Sequence, residues 1–302
     1  MATTKPALSP SQVWWSAVRP ATLAASVAPV LAGTAAAVHA GGALWWAGLL
    51  ALVVALAMQV GVNFANDYSD FVRGADAKRV GPLRASTSGV VAPGQVRRAA
   101  IAAFAVAALA GVVLSLATDW RLLIVGAACL LAGWLYTGGP RPYGYLGLGE
   151  VFVFVFFGLV ATVGTFYVET GRINTLSVLL GCGVGFLATA ILVLNNLRDI
   201  ETDAAAGKRT LATRLGRQGT RVLLLLLVSA AFAIPIVIFM TKLASVTVMA
   251  MHFGIPIASV PVRTAFATTS ATELVKALRR MAVAEMAYSL LFTVGILLSA
   301  RH

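Results

Sequence analysis

Long apolar runs recur along almost the whole sequence of 302 residues, and they constrain its fold more than any other feature. An α-helix needs about 20 apolar residues to cross a lipid bilayer, within a range of about 17–25. Such runs are found at roughly 21–40, 43–65, 99–118, 121–137, 147–168, 176–196, 222–241, 243–262 and 281–300. We therefore predict an all-α integral membrane protein, with about nine transmembrane helices in one bundle around a central cavity.

The overall composition indicates the same class of protein. Hydrophobic residues make up 59% of the chain and charged residues 11%, whereas soluble domains average about 25% charged residues. Residues 1–18 are mostly polar and lack the compact apolar core and small-residue cleavage site of a signal peptide. We predict a single transmembrane domain over 1–302 that begins with this short polar segment.

The net charge of +12 has two explanations. In a soluble protein it would suggest binding to nucleic acid, whereas membrane proteins concentrate Lys and Arg in cytoplasmic loops. With a cytoplasmic N-terminus, most of the 23 Lys and Arg residues fall on the cytoplasmic side, mainly in the polar loops 66–98 and 197–221. We predict a multi-pass protein of the cell inner membrane, with the N-terminus and both loops cytoplasmic, that contacts the lipid bilayer and no nucleic acid.

Acidic residues are few, 11 in all, and they concentrate where two apolar runs end in those loops. The first cluster lies in NFANDYSDFVRGAD at 63–76 and the second in NNLRDIETD at 195–203. Helical spacing places amide and acidic side chains on one face of each helix. The two stripes are Asn63, Asn66, Asp67 and Asp70 in the first cluster, and Asn196, Asp199 and Asp203 in the second.

Carboxylates one helical turn apart repel each other, so such stripes are unfavourable unless cations neutralise them. Magnesium prefers oxygen ligands and commonly binds through one or two carboxylates together with substrate phosphate. Two acidic helix ends that face each other would hold metal ions and clamp a diphosphate between them. A solvated helix end and the ion pathway of a cation-coupled transporter are alternatives, but the basic loops beside the acids favour a phosphate site.

Basic side chains follow each acidic cluster. Cationic groups stabilise a diphosphate as it leaves, although Lys and Arg are also common in any cytoplasmic loop. We predict contacts to the substrate from Arg73, Lys78, Arg79, Arg84 and Lys208. Lys78 and Lys208 rank highest because each comes shortly after the last Asp of its cluster.

The spacing of the acids resembles the motifs of the UbiA-type intramembrane prenyltransferases. That family carries an Asn-Asp-x-x-Asp-x-x-x-Asp motif and an Asp-x-x-x-Asp motif on a later helix. This chain has Asn66-Asp67-x-x-Asp70 in the first cluster and Asp199-x-x-x-Asp203 in the second. The resemblance covers nearly the whole chain, including the position of the motifs after the second and sixth predicted helices.

The resemblance implies a role for each acid. The implied Mg²⁺ ligands are Asp67, Asp70, Asp76, Asp199 and Asp203, and all of these except Asp76 are the implied catalytic residues. Five residues separate Asp70 from Asp76 where the family motif has three, so Asp76 departs from the pattern.

Longer strings resemble the branch of the family that prenylates 1,4-dihydroxy-2-naphthoate in menaquinone synthesis. They are NDYSDFVRGAD, YTGGPRPYGYLGLGEVFVFVFFG and NNLRDIETDAAAGKRTLATRLG. This branch transfers a polyprenyl group from polyprenyl diphosphate to 1,4-dihydroxy-2-naphthoate with loss of CO₂, which gives demethylmenaquinol. Other acceptors, such as 4-hydroxybenzoate or a chlorin, remain alternatives. The CDP-alcohol phosphotransferases place their acids in one continuous motif, and here the acids are split between distant helices.

The segment YTGGPRPYGYLGLGE, at 136–150, is the predicted partner of the aromatic acceptor. Arg141 could pair with the carboxylate of the acceptor, and Tyr136, Tyr143 and Tyr145 could stack on its ring or bond to it. The alternative is a plain Gly- and Pro-rich turn at the membrane interface. Glu150 could orient a basic partner or assist deprotonation of the acceptor, and the sequence leaves both roles open.

Overall fold

The computed structural model describes residues 9–74 and 83–299, and the described residues form helices and connecting loops with no strand. The α-helices are α1 Pro10–Val18, α2 Pro20–His39, α3 Trp45–Val72, α4 Pro93–Ala117, α5 Leu122–Leu135, α6 Gly149–Val153, α7 Ala161–Thr170, α8 Thr175–Ala205, α9 Leu211–Met240, α10 Ile255–Ala267 and α11 Ala271–Ser299. A π-helical segment, Phe154–Val160, joins α6 to α7. Short 3₁₀ helices precede α6, at Tyr143–Leu146, and α10, at Val246–Gly254.

Eight continuous helical segments of the described chain are long and apolar enough to cross a membrane. The predicted span at 121–137 is α5, which has 14 residues and is shorter than the others. The predicted all-α membrane fold is therefore confirmed: the described residues form eight full-length spans and one short apolar helix, close to the predicted number of about nine.

The N-terminal segment, predicted as a short polar segment at 1–18, contains a helix. Its described part forms α1, which begins after Ser9 as a capping residue, with Pro10 at the first helical position. Val13 and Ala17 are buried, and the Trp14 ring packs edge-on against Phe64 of α3. The apolar positions of this short helix thus attach it to the bundle beside the first acidic cluster.

The helix α8 is the most buried span, and it packs on α9, α11 and α2. Its apolar positions, including Leu180, Leu187 and Leu194, have no exposed surface. A stripe of alanines on α2 meets α11, since small side chains allow membrane helices to approach closely. This core holds the end of α8 that carries the second acidic cluster.

The π-helical segment is pressed against α8 through glycine contacts. A Cβ atom on Gly158 would lie 2.4 Å from the Cα of Gly185 and 2.6 Å from the carbonyl oxygen of Gly181. Such contacts exclude any side chain at this position. π-helical turns inside α-helices are rare and frequently lie at functional sites, and this one contributes to the wall of a cavity.

We expect Gly158→Ala to lower the unfolding temperature of the protein in detergent, because the added methyl group meets backbone atoms that cannot rotate away. Overpacking of this kind costs about 1–3 kcal/mol. The control is Gly164→Ala on α7, where an added Cβ has no neighbour within 4 Å. Thermal unfolding followed by tryptophan fluorescence measures both, and equal unfolding temperatures would contradict the close approach of the two backbones.

Candidate active site

A cavity of about 570 Å³ enters the bundle from the end at which α3 and α8 carry their acids. Its polar end is lined by Asn66, Asp70, Arg84, Asn196, Asp199, Asp203 and Lys208. Its far end is lined by Ala51, Leu114, Leu122 and Val168. Along α3, Asp70 and Ala51 are about 28 Å apart at the usual helical rise. The cavity therefore joins a polar chamber to an apolar channel that extends through most of the bundle.

The two acidic clusters meet at one cation in the polar chamber. The ammonium Nζ of Lys208 lies 3.3 Å from Oδ1 of Asp70 on α3 and 3.5 Å from Oδ1 of Asp203 on α8. Arg84 donates a hydrogen bond of 2.7 Å to Oδ2 of Asp70. The carboxylates of the two helices are thus close enough to share one positive group. This agrees with the prediction that the two acidic stripes face each other.

Tyr145 completes this cluster from the loop between α5 and α6. Its hydroxyl donates a hydrogen bond of 2.7 Å to Oδ1 of Asp70, and the Lys208 ammonium lies 4.5 Å from the centre of its ring. Burial, followed by the nearby Asp70 carboxylate, raises the pKa of Tyr145 above its ordinary value. The phenol consequently stays protonated and acts as a donor.

Asp199 lines the same chamber and is paired along its own helix. Arg198 donates from Nε to Oδ1 of Asp199 at 2.7 Å and from Nη2 to Oδ2 at 2.5 Å. The same guanidinium also donates to Oδ1 of Asn195. This two-pronged contact holds the carboxylate of Asp199 in a defined orientation at the cavity wall.

Asp67 has a different environment from Asp70, although both lie on one face of α3. Its oxygens accept hydrogen bonds from the backbone amides of Ala85 and Ser86, at 2.7 and 3.1 Å. The side chain is 1% exposed and does not line the cavity. Asp67 therefore ties the loop after the first cluster to α3, and its predicted role as a metal ligand stays a prediction.

The three predicted amide residues line the cavity in different ways. Asn63 donates to the carbonyl oxygen of Val18 at 2.9 Å, which ties α3 to the end of α1. Asn66 accepts a hydrogen bond of 2.6 Å from the Thr137 hydroxyl. Asn196 donates to Oε1 of Glu150 at 2.9 Å.

The predicted basic residues also separate into groups. Arg84 and Lys208 line the cavity, whereas Arg73 lies at its edge and donates to the carbonyl oxygens of Thr137 and Gly139. Arg141 is exposed and outside the cavity lining, so its contact with an acceptor stays a prediction. Asp76, Lys78 and Arg79 lie outside the described residues.

Aromatic side chains form the wall below the polar chamber. The rings of Tyr143 and Phe152 stack with centres 3.9 Å apart, and Tyr136 and Phe156 extend the group on either side. All four line the cavity. The tyrosines were predicted from the sequence, and the phenylalanines were not. The run VFVFVFF after Glu150 carries the signal, but it also reads as an ordinary membrane helix.

The chamber suits a magnesium ion shared with a phosphate-bearing ligand. Among the described residues, no three His, Cys, Asp or Glu side chains converge as a metal site. The shared Lys208 ammonium nevertheless shows that carboxylates from both helices reach one cation. Magnesium commonly takes one or two protein carboxylates and completes its shell with phosphate oxygens and water, so this donor set fits the ion.

Comparison with known proteins agrees with this arrangement. The model of the UbiA prenyltransferase family matches residues 26–291. The chain belongs to the UbiA prenyltransferase family. Membership makes it a multi-pass membrane protein of a prenyl-transferring family, and it accounts for the two acidic helix ends that face one cavity.

The similar proteins within the UbiA family include enzymes named 1,4-dihydroxy-2-naphthoate octaprenyltransferase. The one from Mycobacterium tuberculosis is 51% identical over 70% of this chain and 72% of its own length. The one from Haemophilus influenzae is 33% identical over 95% of this chain and 96% of its own length.

Solved structures of UbiA homologues share the fold. The apo protein from Aeropyrum pernix aligns with a TM-score of 0.68 and 16% identity, over 91% of this chain and 97% of its own. A homologue from Archaeoglobus fulgidus bound to DMAPP and Mg²⁺ aligns with a TM-score of 0.60 and 16% identity, over 93% and 99% of the two chains.

We expect Asp67→Asn to accelerate hydrogen–deuterium exchange at the amides of Ala85 and Ser86, because one acceptor oxygen replaces two. Losing a hydrogen bond to a charged group costs about 1.5–3 kcal/mol, which corresponds to roughly tenfold or faster exchange. The control is Asp119→Asn at the opposite end of the bundle, where the carboxylate accepts from the Arg121 amide. Mass spectrometry of peptides from 83–91 reads the effect. If hydrogen–deuterium exchange at Ala85 and Ser86 is unchanged in Asp67→Asn, Asp67 does not hold this loop against α3.

Proposed function

We propose that this protein transfers a polyprenyl group from polyprenyl diphosphate to 1,4-dihydroxy-2-naphthoate, with loss of CO₂, to give demethylmenaquinol. The observation that carries the proposal is the meeting of Asp70 and Asp203 at one cation, at the mouth of a long apolar cavity. Similarity to proteins named as naphthoate octaprenyltransferases supports the choice of acceptor.

Asp70, Asp199 and Asp203 would hold Mg²⁺ with the diphosphate. When bound, the ion would neutralise the diphosphate oxygens and act as a Lewis acid on the leaving group. The Archaeoglobus fulgidus homologue bound to DMAPP and Mg²⁺ supports this use of the chamber. Asp67 accepts from two backbone amides and lies outside the cavity lining, so its role as a metal ligand stays a prediction. A contribution from Asp76 stays a prediction.

The basic groups at the chamber receive the diphosphate. Lys208 and Arg84 now contact Asp70, and both would gain anionic partners as the diphosphate enters. Their charges stabilise the diphosphate that departs when the allylic C–O bond breaks. Arg73 is restrained by the carbonyl oxygens of the α5–α6 loop and would act from the rim of the chamber.

The wall below the chamber suits a reacting carbon with cationic character. The faces of Tyr136, Tyr143, Phe152 and Phe156 offer negative electrostatic potential to such a carbon. The apolar channel beyond them accommodates the isoprenoid tail and keeps water away from the cation. The helix α5 packs mainly on α3 and α4 among the described helices, and its residues Leu123, Gly126 and Leu130 line the cavity.

The acceptor reacts at the ring carbon that bears its carboxylate. This carbon bonds to the allylic carbon while the diphosphate leaves with the electron pair of the C–O bond. The neighbouring hydroxyl loses its proton and becomes a carbonyl group, so the intermediate is a β-keto acid. Loss of CO₂ and return of a proton to that oxygen give the prenylated quinol, and all atoms and charges balance.

The polar end of the bundle is proposed to face the cytoplasm. Arg73, Arg84, Arg198, Lys208 and their basic neighbours lie at this end, whereas few basic residues lie at the other. Membrane proteins keep such clusters on the cytoplasmic side, where a water-soluble naphthoate would reach the chamber.

We expect Asp70→Asn and Asp203→Asn each to reduce product formation by about 100-fold or more, because an ion that neutralises a leaving group supplies several kcal/mol. Purified protein with a prenyl diphosphate, 1,4-dihydroxy-2-naphthoate and Mg²⁺ is assayed by chromatography of the quinol product. The control is Glu273→Gln, an exposed carboxylate paired with Lys276. Full activity in either aspartate variant would refute the metal-site assignment.

Acceptor choice is tested in the same assay without any substitution. We expect ¹⁴CO₂ release from carboxyl-labelled 1,4-dihydroxy-2-naphthoate in equal amount to the prenylated product, and little product from 4-hydroxybenzoate. If product forms with 4-hydroxybenzoate and not with 1,4-dihydroxy-2-naphthoate, the acceptor is 4-hydroxybenzoate and the proposed acceptor is wrong. Cation transport into vesicles without any prenylated product would favour the transporter.

A further inference from the structure

We propose that Glu150 orients the side-chain amide of Asn196 so that its carbonyl oxygen accepts a hydrogen bond from a ring hydroxyl of the acceptor. This inference rests on the proposed function and names the groups that select a hydroxylated aromatic acid. Glu150 acts through Asn196, so it is a positioning residue.

The contact joins Glu150, which lies outside the cavity lining, to Asn196, which belongs to it. Glu150 lies in the first turn of α6 and is 6% exposed, and Asn196 lies on α8 and is 7% exposed. Nδ2 of Asn196 donates to Oε1 of Glu150 at 2.9 Å. Asn196 lines the cavity one helical turn before Asp199, at the boundary between the polar chamber and the aromatic wall.

The carboxylate determines which end of the amide faces the cavity. In this contact the NH₂ group of Asn196 donates to Oε1 of Glu150, so the carbonyl Oδ1 of Asn196 faces elsewhere. No described residue donates a hydrogen bond to this Oδ1, and no described Lys or Arg lies within ion-pair distance of Glu150. The carboxylate is therefore committed to the amide and not to a basic partner.

A second amide in the same cavity has the opposite orientation. The Thr137 hydroxyl donates to Oδ1 of Asn66, which leaves the NH₂ group of Asn66 available. An NH₂ group suits diphosphate oxygens, which only accept hydrogen bonds. The Oδ1 atom of Asn196 repels such oxygens and suits a donor, and the ring hydroxyls of the acceptor are the donors that the proposed reaction brings to this place.

The test compares two acceptor analogues as competitive inhibitors of turnover with 1,4-dihydroxy-2-naphthoate. 2-Naphthoate carries the carboxylate alone, whereas 1-hydroxy-2-naphthoate and its 4-hydroxy isomer add one hydroxyl. We expect one of the hydroxylated analogues to bind the unmodified protein about tenfold more tightly than 2-naphthoate, as one well-formed hydrogen bond allows. In Glu150→Gln this ratio should fall to within about twofold, because glutamine can accept or donate and no longer fixes the amide.

The matched control is Glu169→Gln. Glu169 is also a buried carboxylate on the Gly149–Thr170 helix, but it lies at the far end and accepts from the Thr34 hydroxyl. We expect this variant to keep the inhibitor ratio of the unmodified protein. Asn196→Ala removes the acceptor oxygen itself and should also collapse the ratio, which keeps the inference testable if Glu150→Gln fails to fold.

The outcomes separate this inference from the proposed function. If Glu150→Gln or Asn196→Ala keeps the inhibitor ratio of the unmodified protein, the inference is overturned. The proposed reaction still stands in that case, provided that the unmodified protein forms the prenylated product. A collapsed ratio accompanied by a higher KM for prenyl diphosphate or a greater Mg²⁺ requirement also overturns it, because Asn196 would then serve the metal site. Absence of product from 1,4-dihydroxy-2-naphthoate in the unmodified protein refutes the proposed function itself.

Discussion

The structure depends on placing carboxylates from two helices around one shared positive charge at the end of an apolar bundle. Asp70 and Asp203 belong to helices far apart in sequence, and burying either carboxylate is costly without a positive partner. In the structure, Lys208 and Arg84 neutralise Asp70, and Arg198 neutralises Asp199. These ion pairs can exchange partners when substrate binds. The metal ion would then pair with the carboxylates, and the diphosphate would pair with Lys208 and Arg84.

Much of the fold was readable from the sequence because membrane crossing imposes a length and a composition on every helix. The apolar runs therefore located the spans, and the period of 3.6 residues placed Asp70 and Asp203 on faces that meet. The helix α1 was missed because its two buried residues, Val13 and Ala17, are too few to form an apolar run. Their packing on α3 is a tertiary effect that local pattern does not contain.

The candidate site was readable only in part, because the partner of each side chain depends on long-range contacts. Asp67 and Asp70 are equivalent in helical spacing, yet Asp67 binds the backbone of residues 85 and 86 and Asp70 faces the cavity. The amides of Asn66 and Asn196 are chemically identical, and their partners in distant segments present opposite ends of them to the cavity. No spacing rule distinguishes such pairs.

The shortness of α5 has a consequence for the lipid around the protein. Its 14 residues extend for about 21 Å, against a hydrocarbon thickness of about 30 Å. Hydrophobic mismatch of this size must be relieved by local thinning of the bilayer or by immersion of the polar segments that flank the helix. Because α5 also lines the cavity, the bilayer deforms next to the helix that forms one wall of the apolar channel.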